Sequence, residues 1–267
     1  MKRALLPFYN TYQSTAAGPV PELTLLHGWG LHSIAWDDLM PALLTQFQVT
    51  VIDLPGMGQS PLANAYYDLA FVTEQVAAVM PTASHVLGWG LGGLVGLNLT
   101  AQWPERVLSL ATFGTSPKFT AGEGWPAAMP ADVLAKFLEV LAEDQEGTLI
   151  RYLALNCKGS ANQQHDIKVM QEILYFCGLP DPRALAGGFE IMLDADLREA
   201  LTQATQPILM LFGEHDHIVP PAAMAAVQQL APNVQVALLK DVAHVPFISA
   251  PELSAQALQD FYAQQGC

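Results

Sequence analysis

Short apolar runs alternate with longer amphipathic segments in the first half of the chain. Each run ends in a glycine, as buried strands that lead into turns do, and the segments between them have apolar residues at helical spacing. The runs are residues 23–28, 48–56, 84–90 and 106–114, and the helical segments are residues 36–47, 68–80 and 91–103. This alternation predicts an α/β fold with a mostly parallel sheet covered on both faces.

The pattern changes after residue 116. The next 70 or so residues contain helical segments only, and strand patterns return at residues 207–216 and 234–244. An inserted helical cap explains this change more simply than a second domain. The predicted division is a core at residues 1–116 and 189–267, with the cap at residues 117–188.

Composition excludes several classes of partner. A formal net charge of −14 argues against nucleic acid or an anionic membrane surface. No uncharged apolar segment reaches the roughly 18–20 residues of a membrane helix, and we expect no signal peptide. Cys157, Cys177 and Cys267 lack the spacing of a CxxC pair, which favours reduced thiols. We expect a cytoplasmic monomer.

The stretch GWGLGG, residues 88–93, fits two motifs. As G-x-G-x-x-G it is a dinucleotide-binding loop, and as G-x-S-x-G it is a nucleophile elbow with Gly90 at the serine position. A dinucleotide site calls for a carboxylate about 20 residues further on, at the end of the next strand. That strand ends in LATFGTS, without a carboxylate. The elbow is therefore favoured.

Residues elsewhere supply the partners that an elbow needs. Asp216 and His244 each follow a predicted strand, in the chain order nucleophile, acid, histidine. The loop HGWG at residues 27–30 follows the first predicted strand, where an oxyanion loop belongs. We expect the backbone N–H groups of Trp29 and Leu91 to form the oxyanion hole, and His27 to brace its own loop.

Motifs along nearly the whole chain resemble the α/β-hydrolase family. They are LLHGWGLHSIAW, VIDLPGMGQS, LGWGLGGLVG, PERV, LFGEHDHIVP and AHVPFISAPE. The resemblance is strongest to the carboxylesterases of biotin synthesis, whose elbow has serine where Gly90 stands. It implies a Ser-His-Asp triad with Asp216 and His244, an α/β-hydrolase fold with a helical cap, and no cofactor. It also implies that the chain with Gly90 is catalytically inactive.

The same resemblance suggests a substrate. It implies hydrolysis of the methyl ester of a pimeloyl chain carried on acyl-carrier protein. Trp29, Trp89 and Tyr152 would then wall the acyl pocket, although ordinary core packing explains Trp89 and Tyr152 equally well.

Basic residues of the cap offer a docking surface for an acidic carrier protein. The candidates are Arg151, Lys158 and Lys168. Acidic residues are interspersed among them, so scattered surface charge is the alternative. His215 and His217 flank Asp216, but a zinc site needs three or four ligands, and we expect no metal.

Alternatives to this function stay open at this point. The chain could be another hydrolase of small esters or carbon–carbon bonds, or an acyl-binding protein without catalysis. Gly90 is either an inactivating substitution in an active esterase or the mark of a naturally inactive relative.

Overall fold

The core of the protein is one seven-stranded sheet. The computed structural model describes residues 5–62 and 66–267. Its strands are β1 Tyr9–Tyr12, β2 Glu22–Leu26, β3 Gln48–Ile52, β4 Ser84–Trp89, β5 Val107–Phe113, β6 Ile208–Gly213 and β7 Gln235–Leu239. Their order across the sheet is β1-β3-β2-β4-β5-β6-β7. β1 is antiparallel to β3, and the other neighbouring pairs are parallel.

Two strands inside the sheet, β4 and β6, are buried along their whole length. Every residue of β4 and of β6 is buried, which requires cover on both faces of the sheet. The predicted α/β fold with a mostly parallel sheet is confirmed. β1 has no apolar run, and three of its four residues are exposed, so the hydrophobic pattern did not predict it.

Helices join the strands and cover the sheet. They are α1 Met40–Leu43, α2 Leu69–Val79, α3 Leu91–Gln102, α4 Ala131–Leu141, α5 Gln145–Cys157, α6 Gln163–Phe176, α7 Pro182–Asp194, α8 Arg198–Gln203, α9 Ala223–Leu230, α10 Pro246–Ser249 and α11 Pro251–Ala263. The helix predicted over residues 36–47 is wrong in extent. A 3₁₀ turn, Ser33–Trp36, precedes the short α1, because Pro41 cannot continue a helix from the residues before it.

The segment between β5 and β6 contributes α4 to α8. The cap boundary predicted at residue 188 falls inside α7, because the pair Gly187–Gly188 resembles a helix end in the sequence. These glycines instead permit close packing. A Cβ at Gly187 would lie 2.5 Å from the Cβ of Tyr67, and one at Gly188 would lie 2.6 Å from the Trp29 ring. A boundary after Asp194 keeps α7 whole, and the division into core and cap stays a prediction.

The parallel strands β2 to β7 end at one edge of the sheet. In open α/β sheets this carboxyl edge is where ligands bind. The loops that follow β2, β4, β6 and β7 carry Trp29, Gly90, Asp216 and His244 respectively. The fold therefore gathers four separate sequence motifs at one place.

Two predictions about the whole chain concern membranes and thiols. Among the described residues, no helix combines the length and apolar character needed to cross a bilayer. The three cysteines are free thiols.

Arg106 caps the end of α2. Its guanidinium donates hydrogen bonds to the carbonyls of Ala77 at 2.9 Å, Met80 at 3.2 Å, Pro81 at 3.1 Å and Thr82 at 3.2 Å. Helix ends leave such carbonyls without intrahelical partners, and a cation there is favourable. This one side chain therefore ties the end of α2 to the start of β5.

We expect Arg106→Ala to lower the free energy of unfolding by about 1.5–3 kcal/mol, measured by urea denaturation, because charged donors are lost from several carbonyls. Lys168→Ala is the control. It removes only an exposed pair with Glu172 and should change stability by less than about 0.5 kcal/mol. Equal stability of Arg106→Ala and the parent chain would show that the Arg106 hydrogen bonds to the end of α2 do not contribute to stability.

Candidate active site

Gly90 occupies a sharp turn between β4 and α3. Its backbone has φ 54° and ψ −114°, and its N–H donates to the carbonyl of Phe113 at 3.1 Å. L-residues with a Cβ rarely adopt this positive φ, whereas glycine adopts it readily. A nucleophile elbow forces its central residue into such a strained conformation. The turn predicted from GWGLGG is therefore present.

Two neighbouring glycines let the elbow pack tightly. A Cβ at Gly88 would lie 2.6 Å from the carbonyl oxygen of Gly92, and one at Gly92 would lie 2.2 Å from that of Leu26. Any side chain at these positions would push α3 away from the sheet. Close approach of backbones explains both glycines.

Asp216 and His244 form a buried pair beside this turn. The His244 Nδ1–H donates to Oδ2 of Asp216 at 2.8 Å, and the two residues are 2% and 4% exposed. The other carboxylate oxygen, Oδ1, accepts from the N–H groups of Ile218 at 2.7 Å and Val219 at 2.8 Å. These bonds fix the carboxylate, which in turn orients the imidazole and leaves Nε2 free to act as a base.

Nε2 of His244 faces residue 90. A Cβ built on Gly90 would lie 3.4 Å from Nε2 and 3.9 Å from Cα of Gly28. A small side chain there meets ordinary contacts only, and a hydroxyl on it comes within reach of the imidazole. The structure thus brings Gly90, Asp216 and His244 together in the arrangement of a triad that lacks its nucleophile.

The expected oxyanion donors belong to residues next to this space: Leu91 directly follows Gly90, and Trp29 directly follows Gly28, whose Cα a Cβ on Gly90 would approach to 3.9 Å. Leu91 is the first residue of α3, so its N–H has no intrahelical acceptor. Over residues 5–62 and 66–267, neither the Leu91 nor the Trp29 backbone N–H bonds to a protein acceptor. Both remain available for a developing negative charge.

His27 braces the loop that carries Trp29. The Leu54 N–H donates to Nε2 at 2.8 Å, so the ring proton sits on Nδ1, which donates to the Gly28 carbonyl at 2.8 Å. Burial lowers the pKa of His27 to about 4, while nearby Asp53 opposes the shift. A neutral ring is therefore built into the loop.

Asp53 supports this loop from the next strand, although sequence reasoning missed it. Its carboxylate accepts from the Ser33 N–H and the Gln59 N–H, both at 2.8 Å. A signal was present, because Asp53 is an acidic residue directly after the buried run of β3.

Three aromatic rings, those of Trp29, Tyr152 and Phe189, pack together at the oxyanion loop and are called the aromatic wall below. The Trp29 ring lies 4.8 Å from that of Tyr152 and 4.0 Å from that of Phe189, and its Nε1–H donates to the Leu185 carbonyl. Trp29 and Tyr152 are thus brought together as predicted, and Phe189 of α7 joins them without having been predicted. Cap and core share this wall.

Trp89 lies elsewhere. Its ring packs 5.8 Å from the His244 ring and 5.1 Å from that of Phe247. A Cβ on Gly28 would lie 2.7 Å from the Trp89 ring, so this tryptophan fills the space behind the oxyanion loop. It supports His244 and is not one of the aromatic rings that contact Trp29.

A cap residue holds the backbone of His244. The His244 N–H donates to the carbonyl of Asn156 in α5 at 3.0 Å. Asn156 is fully buried, and its side chain donates to the Tyr152 carbonyl at 2.6 Å. No polar pattern in the sequence marked Asn156, because its contribution is a main-chain carbonyl.

The three candidate docking residues lie on the surface of the cap. Arg151 pairs with Asp144 at 3.0 Å and Lys168 with Glu172 at 3.6 Å, whereas Lys158 is exposed at the end of α5. The segment 117–188 holds six basic and nine acidic residues. The acidic neighbours therefore reduce the positive electrostatic potential of this surface.

His217 does not join any group of possible metal ligands among the described residues. Ligand atoms of Glu214, His215 and Asp241 do lie within 4.8 Å of one another at the surface. The Glu214 carboxylate already accepts from the Asp241 N–H and pairs with Lys240. The expectation of no metal stays a prediction.

The burial of His27 predicts a pH effect on stability. The unfolded chain takes up a proton at His27 near pH 6.5, whereas the folded protein does so only near pH 4. The free energy of unfolding therefore falls as the pH falls through this window, by about 2 kcal/mol between pH 7 and pH 5 from this residue.

His27→Gln, whose amide oxygen can accept from Leu54, should lose about 2 kcal/mol less over that range in urea denaturation. Replacing the exposed His165 by Gln is the control and should follow the parent. The same pH dependence in the parent and in His27→Gln would contradict a neutral, buried His27.

Comparison with known proteins agrees with this architecture. Residues 21–251 match the family model of the alpha/beta hydrolase fold. The pimeloyl-[acyl-carrier protein] methyl ester esterase of Aeromonas hydrophila subsp. hydrophila is 38% identical over 91% of this chain and 96% of its own length, and that of Yersinia enterocolitica is 37% identical over 91% and 93%.

Solved structures show the same fold at lower identity. The enol-lactonase from Burkholderia xenovorans LB400 superposes with a TM-score of 0.83 at 19% identity, over 96% of each chain. The bromoperoxidase from Bacillus anthracis gives 0.85 at 18% identity, over 96% of this chain and 95% of that one. Together with the elbow and the buried acid–histidine pair, these matches show that the chain belongs to the α/β-hydrolase family.

Proposed function

We propose that this chain has the active site of a carboxylesterase for the methyl ester of pimeloyl-[acyl-carrier protein], without the nucleophile. We call this arrangement of base, acid and oxyanion donors the esterase frame. The observation that carries the proposal is the buried His244–Asp216 pair, whose free Nε2 faces the elbow residue 90. Relatives bearing that name, at 37–38% identity over most of the chain, support the choice of substrate. The substrate is an acyl ester, and the reaction requires no cofactor.

A serine at residue 90 would complete the reaction. Its hydroxyl oxygen attacks the ester carbonyl carbon while His244 Nε2 takes the proton, and Asp216 stabilises the resulting imidazolium. The N–H groups of Leu91 and Trp29 hold the oxyanion. The tetrahedral species then breaks its bond to the methoxy oxygen, which takes the proton from the imidazolium and leaves as methanol. Water releases the acyl group by the same steps.

Gly90 removes the covalent step from the chain as it stands. Loss of a triad nucleophile costs about 10⁶-fold in rate in a comparable hydrolase. We therefore propose that the chain does not hydrolyse the ester at a rate comparable with that of its relatives. A second candidate function, binding of an acyl ester without turnover, is favoured by the same residue, because Gly90 leaves the aromatic wall and the His244–Asp216 pair intact.

The aromatic wall suits an apolar acyl chain. A groove of about 340 Å³ between α4 and α5 is lined by Phe137, Val133 and Val140, with Lys136 and Arg151 among its polar residues. The Phe137 ring contacts Tyr152 at 5.5 Å and Phe189 at 6.0 Å. One layer of rings, of which Tyr152 and Phe189 are buried, therefore separates this groove from Trp29, so a substrate that enters here would have to move these rings to reach residue 90.

Docking of the carrier protein would use the exposed cations of the cap. Arg151, Lys158 and Lys168 can attract an acidic carrier, and electrostatic attraction of this kind raises the association rate. The pairs with Asp144 and Glu172 reduce that attraction, so we expect weak, salt-sensitive docking of a monomeric esterase.

Gly90→Ser should restore esterase activity by up to about 10⁶-fold, because it supplies the hydroxyl next to Nε2. The assay measures hydrolysis of p-nitrophenyl butyrate and of methyl pimeloyl-[acyl-carrier protein]. Gly90→Ala is the matched control: it adds the same Cβ without a nucleophile and should show none of this gain.

A folded Gly90→Ser variant that hydrolyses neither substrate would overturn the esterase frame. Hydrolysis of p-nitrophenyl butyrate alone would retain the esterase and reject the carrier-linked substrate, in favour of another small ester.

A further inference from the structure

The chain as it stands retains a general base with space in front of it. Nε2 of His244 has no hydrogen-bond partner in the described part of the chain. Apart from chain neighbours, a Cβ on Gly90 would meet only Nε2 and the Cα of Gly28 within 4 Å among the described residues, so the space in front of Nε2 is open. The group missing at residue 90 is a hydroxymethyl, close in size to one water molecule.

One polar atom faces that space, and two backbone N–H groups belong to residues next to it. The imidazole Nε2 can accept a hydrogen bond, and the Leu91 and Trp29 N–H groups can donate. A buried water needs two to four such partners. A water at Gly90 can therefore use Nε2 and these N–H groups before the ester binds, and it stays on Nε2 once the ester carbonyl takes the N–H groups.

We propose that water bound at Gly90 is the nucleophile of a slow, one-step ester hydrolysis by this chain. The proposal rests on the proposed esterase frame. Nε2 takes one proton of the water while the water oxygen bonds to the ester carbonyl carbon, and Leu91 and Trp29 hold the oxyanion. The tetrahedral species then breaks its bond to the alkoxy oxygen, which receives the proton from Nε2. One ester and one water give one acid and one alcohol, without an acyl-enzyme.

Other nucleophiles near the site are occupied or unreactive. The hydroxyl of Ser116 donates to the Lys118 carbonyl at 2.7 Å, and that of Thr115 to the Phe113 carbonyl at 3.0 Å. Burial raises the pKa of the Cys157 thiol to about 12, so it stays protonated. None of these groups hydrogen-bonds to His244 among the described residues, which leaves water as the nucleophile in reach of Nε2.

The test follows p-nitrophenol release from p-nitrophenyl butyrate by the purified chain. We expect a linear time course without a burst, a rate unaffected by a sulfonyl fluoride, and about 10²-fold loss in His244→Ala. The exposed His165→Ala, purified in the same way, should keep the parent rate. Gly90→Ser should show a burst and lose activity with the sulfonyl fluoride.

Asp216→Asn tests the same step by a second route, in case His244→Ala does not fold. Its amide oxygen can still accept from Ile218 and Val219, while its NH₂ group faces Nδ1 and moves the ring proton to Nε2. The base is then lost with the fold retained, so the same loss of rate is expected.

A burst, or an acyl adduct seen by mass spectrometry of the parent chain, would overturn the one-step reaction. A parent rate equal to that of His244→Ala would also overturn it. If Gly90→Ser is active in that case, the esterase frame stands and only the water step fails. If Gly90→Ser is inactive as well, both proposals fail.

Discussion

The hydrogen bond between His244 and Asp216 organises the carboxyl edge of the sheet. Two backbone N–H groups and the imidazole satisfy the buried carboxylate, and burying it without them would cost several kcal/mol. The bond links the loop after β6 to the loop after β7. The backbone N–H of His244 in turn donates to the Asn156 carbonyl, which joins this loop to the cap. The position and the tautomer of the His244 imidazole thus depend on this pair.

The elbow does not depend on its nucleophile. Gly90 adopts a positive φ because β4 must turn directly into α3, with Gly88 and Gly92 packed against neighbouring backbones. Glycine relieves the strain that a serine would bear there. With glycine at residue 90, the His244–Asp216 pair, the unbonded Leu91 and Trp29 N–H groups and the aromatic wall are therefore all in place. This separation of frame from nucleophile underlies both proposals.

Local patterns in the sequence predicted most of this frame. Apolar runs marked the buried parallel strands, and polar residues directly after those runs marked Asp216 and His244. The exposed strand β1, the end of α7 and the wall residue Phe189 were missed. β1 has no apolar run, and Gly187 and Gly188 resemble a helix end. Phe189 and Trp29 are far apart in the sequence and meet only when the chain folds, so no local pattern predicts their contact. Asn156 acts through its main chain, which leaves no signal in residue type.

We propose that residue 90 is the nucleophile position served by His244. Labelling of Gly90→Ser with a fluorophosphonate ester, followed by digestion and mass spectrometry, tests this assignment. We expect one adduct, on residue 90, that is absent from the chain as it stands and suppressed when His244→Ala is added. An adduct on another serine, such as Ser116, or no adduct on the folded Gly90→Ser protein, would contradict it.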